Sequence, residues 1–237
     1  VLITSYSKLQ DADFQSGVTL LIDKPLTWTS FDVVNKLKYT LKNVTGIKKL
    51  KIGHAGTLDP LATGLLIVAT GKDTKRINEY QEQTKNYSGV FFIGATTESY
   101  DSEFEPNEFF PIDHIDKELI ALAQEELTGE IMQMPPAFSA LKVDGQRSYI
   151  RARKGQEVVL KERKVIIYTF SIQKIEMPEI YFEVKCSKGT YIRSLAYDFG
   201  KKLKSGAYLK ILNRDSIGQF KNSDAFNFFE LIDFFKK

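Results

Sequence analysis

Gly53-His54-Ala55-Gly56-Thr57-Leu58-Asp59-Pro60-Leu61-Ala62-Thr63-Gly64-Leu65-Leu66 is the most unusual stretch of the chain, and it runs directly into the apolar segment 65–69. Its three glycines let the backbone turn sharply or approach a ligand closely. Pro60 biases Asp59 toward extended geometry and away from a helix, and residues 65–69 read as a strand buried on both faces. An acid held just ahead of such a strand is displayed by a rigid scaffold. The residues alone leave two readings open, an Asp-Pro turn in a glycine-rich connector or a catalytic carboxylate. The stretch is no phosphate loop, because the Lys-Ser/Thr ending of that motif is missing. Neither His54 nor Asp59 has a serine or cysteine placed by motif to complete a triad.

Working outward, residues 18–23 predict a short strand ending at Lys24-Pro25. Thr29 or Ser30 can then cap a helix that carries Val34, Leu37 and Leu41 on one face and Asp32 in its first turn. Downstream, 73–81 predicts a short helix, 87–94 a strand and the acidic 98–107 a loop. The stretch after Asp113 predicts a helix with Leu119, Leu122 and Ala123 on one face and Gly129 as C-cap. Residues 131–142, broken by Pro135-Pro136, read as extended, and Asp144-Gly145 as a turn. Ile180, Phe182, Val184 and Cys186 alternate with Tyr181, Glu183 and Lys185, the period of a strand with one buried face. Thr190 is placed to cap the next helix, with its stripe of Ile192, Leu195, Ala196, Phe199 and Leu203. Phe228, Leu231, Ile232 and Phe235 fall at helical spacing near the end. Strands mixed with helices, without regular βαβ alternation, predict an α+β fold.

At 237 residues, with 43% hydrophobic and 27% charged side chains, the composition is globular and excludes disordered, collagen-like and coiled-coil classes. The longest apolar runs stop far short of the ~18–20 residues of a membrane span, and no charged-then-apolar leader opens the chain. The start at Val1 suggests that residues precede it. One cysteine, Cys186, fits a reducing cytoplasm, and with two histidines it is too little for a standard zinc cluster. The net charge of +3 conceals local imbalance: six lysines and no acid in 36–51, eight bases against three acids in 142–164, and ten acids with one lysine in 98–126. Such segments read either as solvated faces of different sign or as basic segments meeting a polyanion.

Residues 53–66 resemble the catalytic motif of the TruB-type tRNA pseudouridine(55) synthases, and the resemblance continues in order. Asp23-Lys24-Pro25 with Thr29-Ser30 is similar to the family's opening motif, and Lys85-Asn86-Tyr87 with Gly94 and Asp101 to its tyrosine strand and aspartate loop. Ser139-Ala140-Leu141-Lys142, Gly145, Tyr149 and Ala152-Arg153 resemble its RNA-gripping insertion. Cys186-Ser187-Lys188-Gly189-Thr190-Tyr191-Ile192-Arg193, then Gly206-Ala207, Leu212 and Arg214, complete the set, which spans roughly residues 18–220.

The resemblance implies a pseudouridine synthase fold, α+β with a mixed, largely antiparallel central sheet flanked by helices and loops. It implies one catalytic domain over 1–237 with the insertion at about 131–158. Only about 17 residues follow Phe220, so the common C-terminal RNA-binding domain is expected to be missing. Asp59 matches the essential aspartate, Tyr87 the tyrosine that stacks on the extruded base, and Arg193 the arginine that pairs with the aspartate. His54, Tyr191 and Leu212 fall where the family contacts RNA or uracil, and Asp101 on an aspartate near the site. Lys24, Lys142, Arg147 and Arg153 are expected against the substrate. Asn213 stands where a further arginine is expected. The implied substrate is the T arm of tRNA, with a monomeric cytoplasmic enzyme, no obligate protein partner and no membrane. Isomerising uridine gains and loses no atom overall, so no redox cofactor, energy donor or metal is needed. The chemistry needs Asp59 ionised in a site partly closed to water, and a guanidinium such as that of Arg193 opposes the desolvation while fixing the carboxylate by two-point contact.

Overall fold

The computed structural model describes residues 1–143 and 145–236. In chain order it begins with β1 (Leu2–Ile3), β2 (Thr19–Lys24), α1 (Ser30–Thr45), β3 (Ile52–His54), β4 (Ala62–Thr70), α2 (Ile77–Glu82) and β5 (Lys85–Ile93). Then follow β6 (Ala95–Thr96), β7 (Glu108–Phe109), α3 (Lys117–Glu126), β8 (Gly129–Gln133), β9 (Lys142–Val143), β10 (Gln146–Arg147) and α4 (Ser148–Ala152). The last elements are β11 (Arg163–Glu176), β12 (Glu179–Cys186), α5 (Ile192–Lys202), β13 (Ala207–Ile217), β14 (Phe220–Lys221), β15 (Phe226–Asn227) and α6 (Phe228–Phe234). The chain divides into two compact units, Val1–Tyr87 with Leu212–Lys237, and Ser88–Ile211.

In the first unit, β4 is antiparallel to β2 and β3 and parallel to β13 through Leu212↔Ala62, Asn213↔Thr63 and Arg214↔Gly64. Strands β1 and β15 lie parallel to β2, and β14 antiparallel to β13. The continuous apolar run of β4 has a direct physical reason. Leu66 and Val68, with Leu20 and Ile22 of β2, join a core against Val33, Val34, Leu37 and Leu41 of α1 and Phe228, Leu231, Ile232 and Phe235 at the C-terminus. Leu65 and Ile67, with Leu21, join a second core against Tyr80, Ile217 and Phe220. A strand covered on both faces has no polar face to alternate with.

The cap of α1 is reciprocal. Thr29 Oγ1 accepts from Asp32 N–H at 3.0 Å and Asp32 Oδ2 accepts from Thr29 N–H at 3.0 Å, satisfying two donors that the first turn leaves open. Gly46 ends the helix at φ +70°, the left-handed conformation that favours glycine.

In the second unit, β11 is antiparallel to β12 and to β8. Ile180, Phe182, Val184 and Cys186 face inward as their alternation predicts. Phe91 of β5 stacks on Phe182 at 4.0 Å between ring centres, and Phe170 and Phe199 close the cluster, so the stripe of α5 is buried through Phe199. Together the pairings are the mixed, largely antiparallel α+β arrangement expected.

Three local readings are corrected. Helix α3 starts at the Asp116 cap, but it buries Ile120 and Ala123 while Leu122 is exposed; Gly129 opens β8 instead of ending the helix. Thr190 Oγ1 donates to Ser187 O, and the N-cap position of α5 is Tyr191. Segments Arg163–Glu176 and Ala207–Ile217, unassigned in the sequence reading, are the long strands β11 and β13. The predicted turn at Asp144-Gly145 involves Asp144, which lies outside the described residues; Lys142 and Arg147 pair across that hairpin, both exposed. Among the described residues no helix is long and apolar enough to cross a membrane, and no cluster of His, Cys, Asp and Glu suited to a metal is found.

Candidate active site

In the first unit the loop carrying Asp59 is fastened from three sides. Ser30, the first residue of α1, accepts the Leu58 N–H at 2.8 Å and returns its hydroxyl to Leu58 O at 3.2 Å. Thr27 N–H donates to Pro60 O at 2.8 Å, with Thr27 itself at φ +69°. Lys24 is fully buried at the end of β2 and directs Nζ at the carbonyls of Pro25 (2.9 Å), Trp28 (2.6 Å) and Pro60 (3.3 Å). Lys24, expected against the substrate, thus directs its protons to three carbonyls. Burial is the main reason its pKa is pushed down to about 8, and the Asp59 charge works the other way. Asp59 itself is half-buried.

Arg214 of β13 closes the third side. It is 1% exposed, and its guanidinium donates to Leu65 O at 2.8 Å and Gly56 O at 3.0 Å. This buried cation is reached because β4 and β13 approach unusually closely at Gly64. A Cβ there would stand 2.6 Å from Arg214 N and closer still to its carbonyl oxygen, and Gly64 has φ +99°. His54, at the end of β3, has its pKa lowered first by burial and then by the Arg214 charge, which favours the neutral imidazole. Asn213, in place of the expected arginine, accepts from Thr63 Oγ1 at 3.0 Å and donates to Asp215 at 2.6 Å, bracing the same rung. Leu212 is buried beside Ala62 in register, and Tyr87 is buried on β5.

The second unit gathers the other expected residues. Arg193, in the first turn of α5, is 3% exposed and donates to Ser99 O at 3.1 Å and Phe138 O at 2.9 Å. Its Nε stands 3.5 Å from Asp101 Oδ2. Asp101 is in turn bound by Ser99 Oγ and by Glu103 N–H at 3.0 Å. The acidic segment therefore contains a buried anion that neutralises a buried arginine, the arrangement that makes a charge tolerable in an interior. Tyr191 lies under the Arg163 guanidinium at 4.5 Å. Lys142 and Arg147 are exposed on the β9–β10 hairpin, and the Arg153 guanidinium is paired with Glu103.

Sequence reasoning passed over Gln133, Ser99 and Arg163, and saw Arg214 only as part of a motif. The signal for Arg214 was its place two residues after Leu212 in the motif; a lone Gln ahead of two prolines carries none.

Residues 42–192 match the TruB family pseudouridylate synthase (N terminal domain). The tRNA pseudouridine synthase B of Flavobacterium johnsoniae is 55% identical over 92% of this chain and 96% of that protein. The protein of the same name from Chlorobaculum tepidum is 44% identical over 92% and 91%. Among solved structures, a chain of a Cbf5-Nop10-Gar1 complex superposes with a TM-score of 0.68 at 28% identity, covering 93% of this chain and 54% of that one. The family model over residues 42–192, with relatives aligned almost end to end, makes this chain a member of the TruB family of pseudouridylate synthases.

Proposed function

We propose that this protein isomerises uridine 55 in the T arm of tRNA to pseudouridine, acting as a cytoplasmic monomer without protein partner, metal or organic cofactor. The observation that carries the reading is the near-complete alignment with proteins named tRNA pseudouridine synthase B.

The reaction breaks the N1–C1′ bond, turns the uracil, joins C5 to C1′ and releases the C5 proton, so atoms balance without a co-reactant. Asp59 serves as nucleophile at sugar or base, or takes a sugar proton toward a glycal; both routes use one carboxylate. The fastening of the loop at Gly56, Leu58, Pro60 and Leu65 supports this role, because catalysis rewards a reacting group that is held in place before substrate arrives. A base stacked in a folded loop is out of reach, so it is flipped at a cost of a few kcal/mol. Stacking on Tyr87 returns ~1–3 kcal/mol, and phosphate contacts from Lys142, Arg147, Arg153 and the lysines of 36–51 supply the remainder. Arg153 must exchange Glu103 for a phosphate to do so. Arg193 orients the carboxylate, with Tyr191, Leu212 and His54 lining the uracil and its neighbours and Asp101 holding Arg193.

The test is purified protein alone with an unmodified tRNA transcript, followed by mapping of pseudouridine. Product at position 55 without guide RNA or added protein is expected; no product, or product only with such additions, overturns the proposal.

A further inference from the structure

We infer that Gln133 is a positioning residue for the reaction, joining the stem of the RNA-gripping insertion to the turn that bears Tyr191 and Arg193. The inference rests on the function proposed above.

Gln133 ends β8 and is 0% exposed. Its side-chain amide bonds twice to the residue just ahead of α5: Oε1 accepts the Tyr191 N–H at 2.8 Å, and Nε2 donates to Tyr191 O at 3.1 Å. Tyr191 is the N-cap position of α5 and supplies no side-chain cap of its own. Its backbone therefore takes its direction from Gln133. A buried primary amide that satisfies both a donor and an acceptor of one residue fixes the rotation of that residue as well as its distance.

The next residues continue the fastening. Ser194 Oγ donates to Met134 O at 2.7 Å, and Arg193 Nη2 donates to Phe138 O at 2.9 Å. Residues 133–138 thus meet 191–194 at successive points, and the same segment leads directly into the β9–β10 hairpin and α4. Ser139 O accepts from Tyr149 N–H, and Ala137 O from Ser148 Oγ, so the base of the insertion is tied to this segment too. A pull on the insertion by bound RNA is transmitted to the backbone of Tyr191 and to the guanidinium of Arg193, with Gln133 as the anchor.

The test uses the full chain with Gln133→Met, similar in length but without the amide, and Gln133→Glu, which keeps the acceptor for Tyr191 N–H. Single-turnover rate constants on tRNA transcript are measured with enzyme in excess, beside tRNA Kd and melting temperature. Gln133→Met is expected to lower the rate constant about 10- to 100-fold, as for a misplaced active-site group, with Kd within about threefold; Gln133→Glu recovers part of the loss. An unchanged rate constant, or a change confined to Kd, overturns the assignment, whereas an inactive wild-type protein overturns the function itself. Hydrogen exchange on the wild-type protein serves if the variants do not fold. Peptides covering 133–138 and 190–194 should gain protection together when a T-arm hairpin binds, and protection of only one of them contradicts the coupling.

Discussion

Gly64→Ala should damage stability and activity together, and Gly46→Ala serves as its control. Both glycines have positive φ, +99° and +70°. An L side chain in left-handed geometry costs about 1–2 kcal/mol, and nothing lies within 4 Å of a Cβ at Gly46, so that term is the whole cost there. At Gly64 the added Cβ meets Arg214 N at 2.6 Å and Asn213 Oδ1 at 2.7 Å. These contacts belong to the rung of β4 and β13, and separating it adds about 1–3 kcal/mol of overpacking. Gly64→Ala should therefore cost about 2–5 kcal/mol against about 1–2 for Gly46→Ala. At roughly 2–4 °C per kcal/mol for a chain of this size, it should melt clearly below the control by circular dichroism. The displaced rung joins β13, which carries Arg214, to β4, which follows Asp59, so the turnover of folded Gly64→Ala at 25 °C should fall about tenfold or more, with Gly46→Ala unaffected. Equal melting temperatures for the two variants would refute the close approach as the reason for Gly64.

Arg193→Lys cannot reproduce a planar fork that reaches Ser99 O, Phe138 O and Asp101; kcat should fall at least about tenfold, and near-wild-type turnover would count against the role given to the guanidinium. Lys142→Glu with Arg147→Glu should weaken tRNA binding and flatten the log Kd against log salt slope by about 1.5, at ~0.7–0.9 per phosphate contact; an unaltered slope makes the hairpin a solvated face. Burial raises the Asp198 pKa to about 6, with Glu162 adding to it and Lys201 and Lys202 opposing. Between about pH 4 and 6 the native state keeps a proton the unfolded chain has released, so stability falls as pH rises through that window and the cost persists above it. Asp198→Asn should accordingly melt higher than the parent at pH 8 and no higher below pH 4; the same difference at both pH values refutes this.

Where local chemistry and tertiary packing agree, the sequence was legible. Thr29 with Asp32, the alternation of 180–186 and the stripe of α5 each name their element, because the cap or the buried face is written in consecutive residues. Strand β13 was not legible because Lys210, Asn213, Arg214, Asp215 and Ser216 interrupt its apolar residues, and the Arg214 charge meets its partners, the carbonyls of Leu65 and Gly56, only in the fold. In α3 the buried face is set by what the helix packs against, which turned Ile120 inward and left Leu122 outside. At the candidate site, Asp59 stood out by its setting among glycines and Pro60. Tyr87 and Arg193 were found through the family resemblance, while the buried supports Lys24, Gln133 and Ser99 declare their part only through partners distant in sequence.

The central claim, that Asp59 drives uridine isomerisation, is tested most directly by tritium release from tRNA carrying [5-³H]uridine at position 55. The wild-type protein should release the C5 label stoichiometrically without added cofactor, and folded Asp59→Asn should bind the same tRNA and release none. Full release by Asp59→Asn would contradict the account.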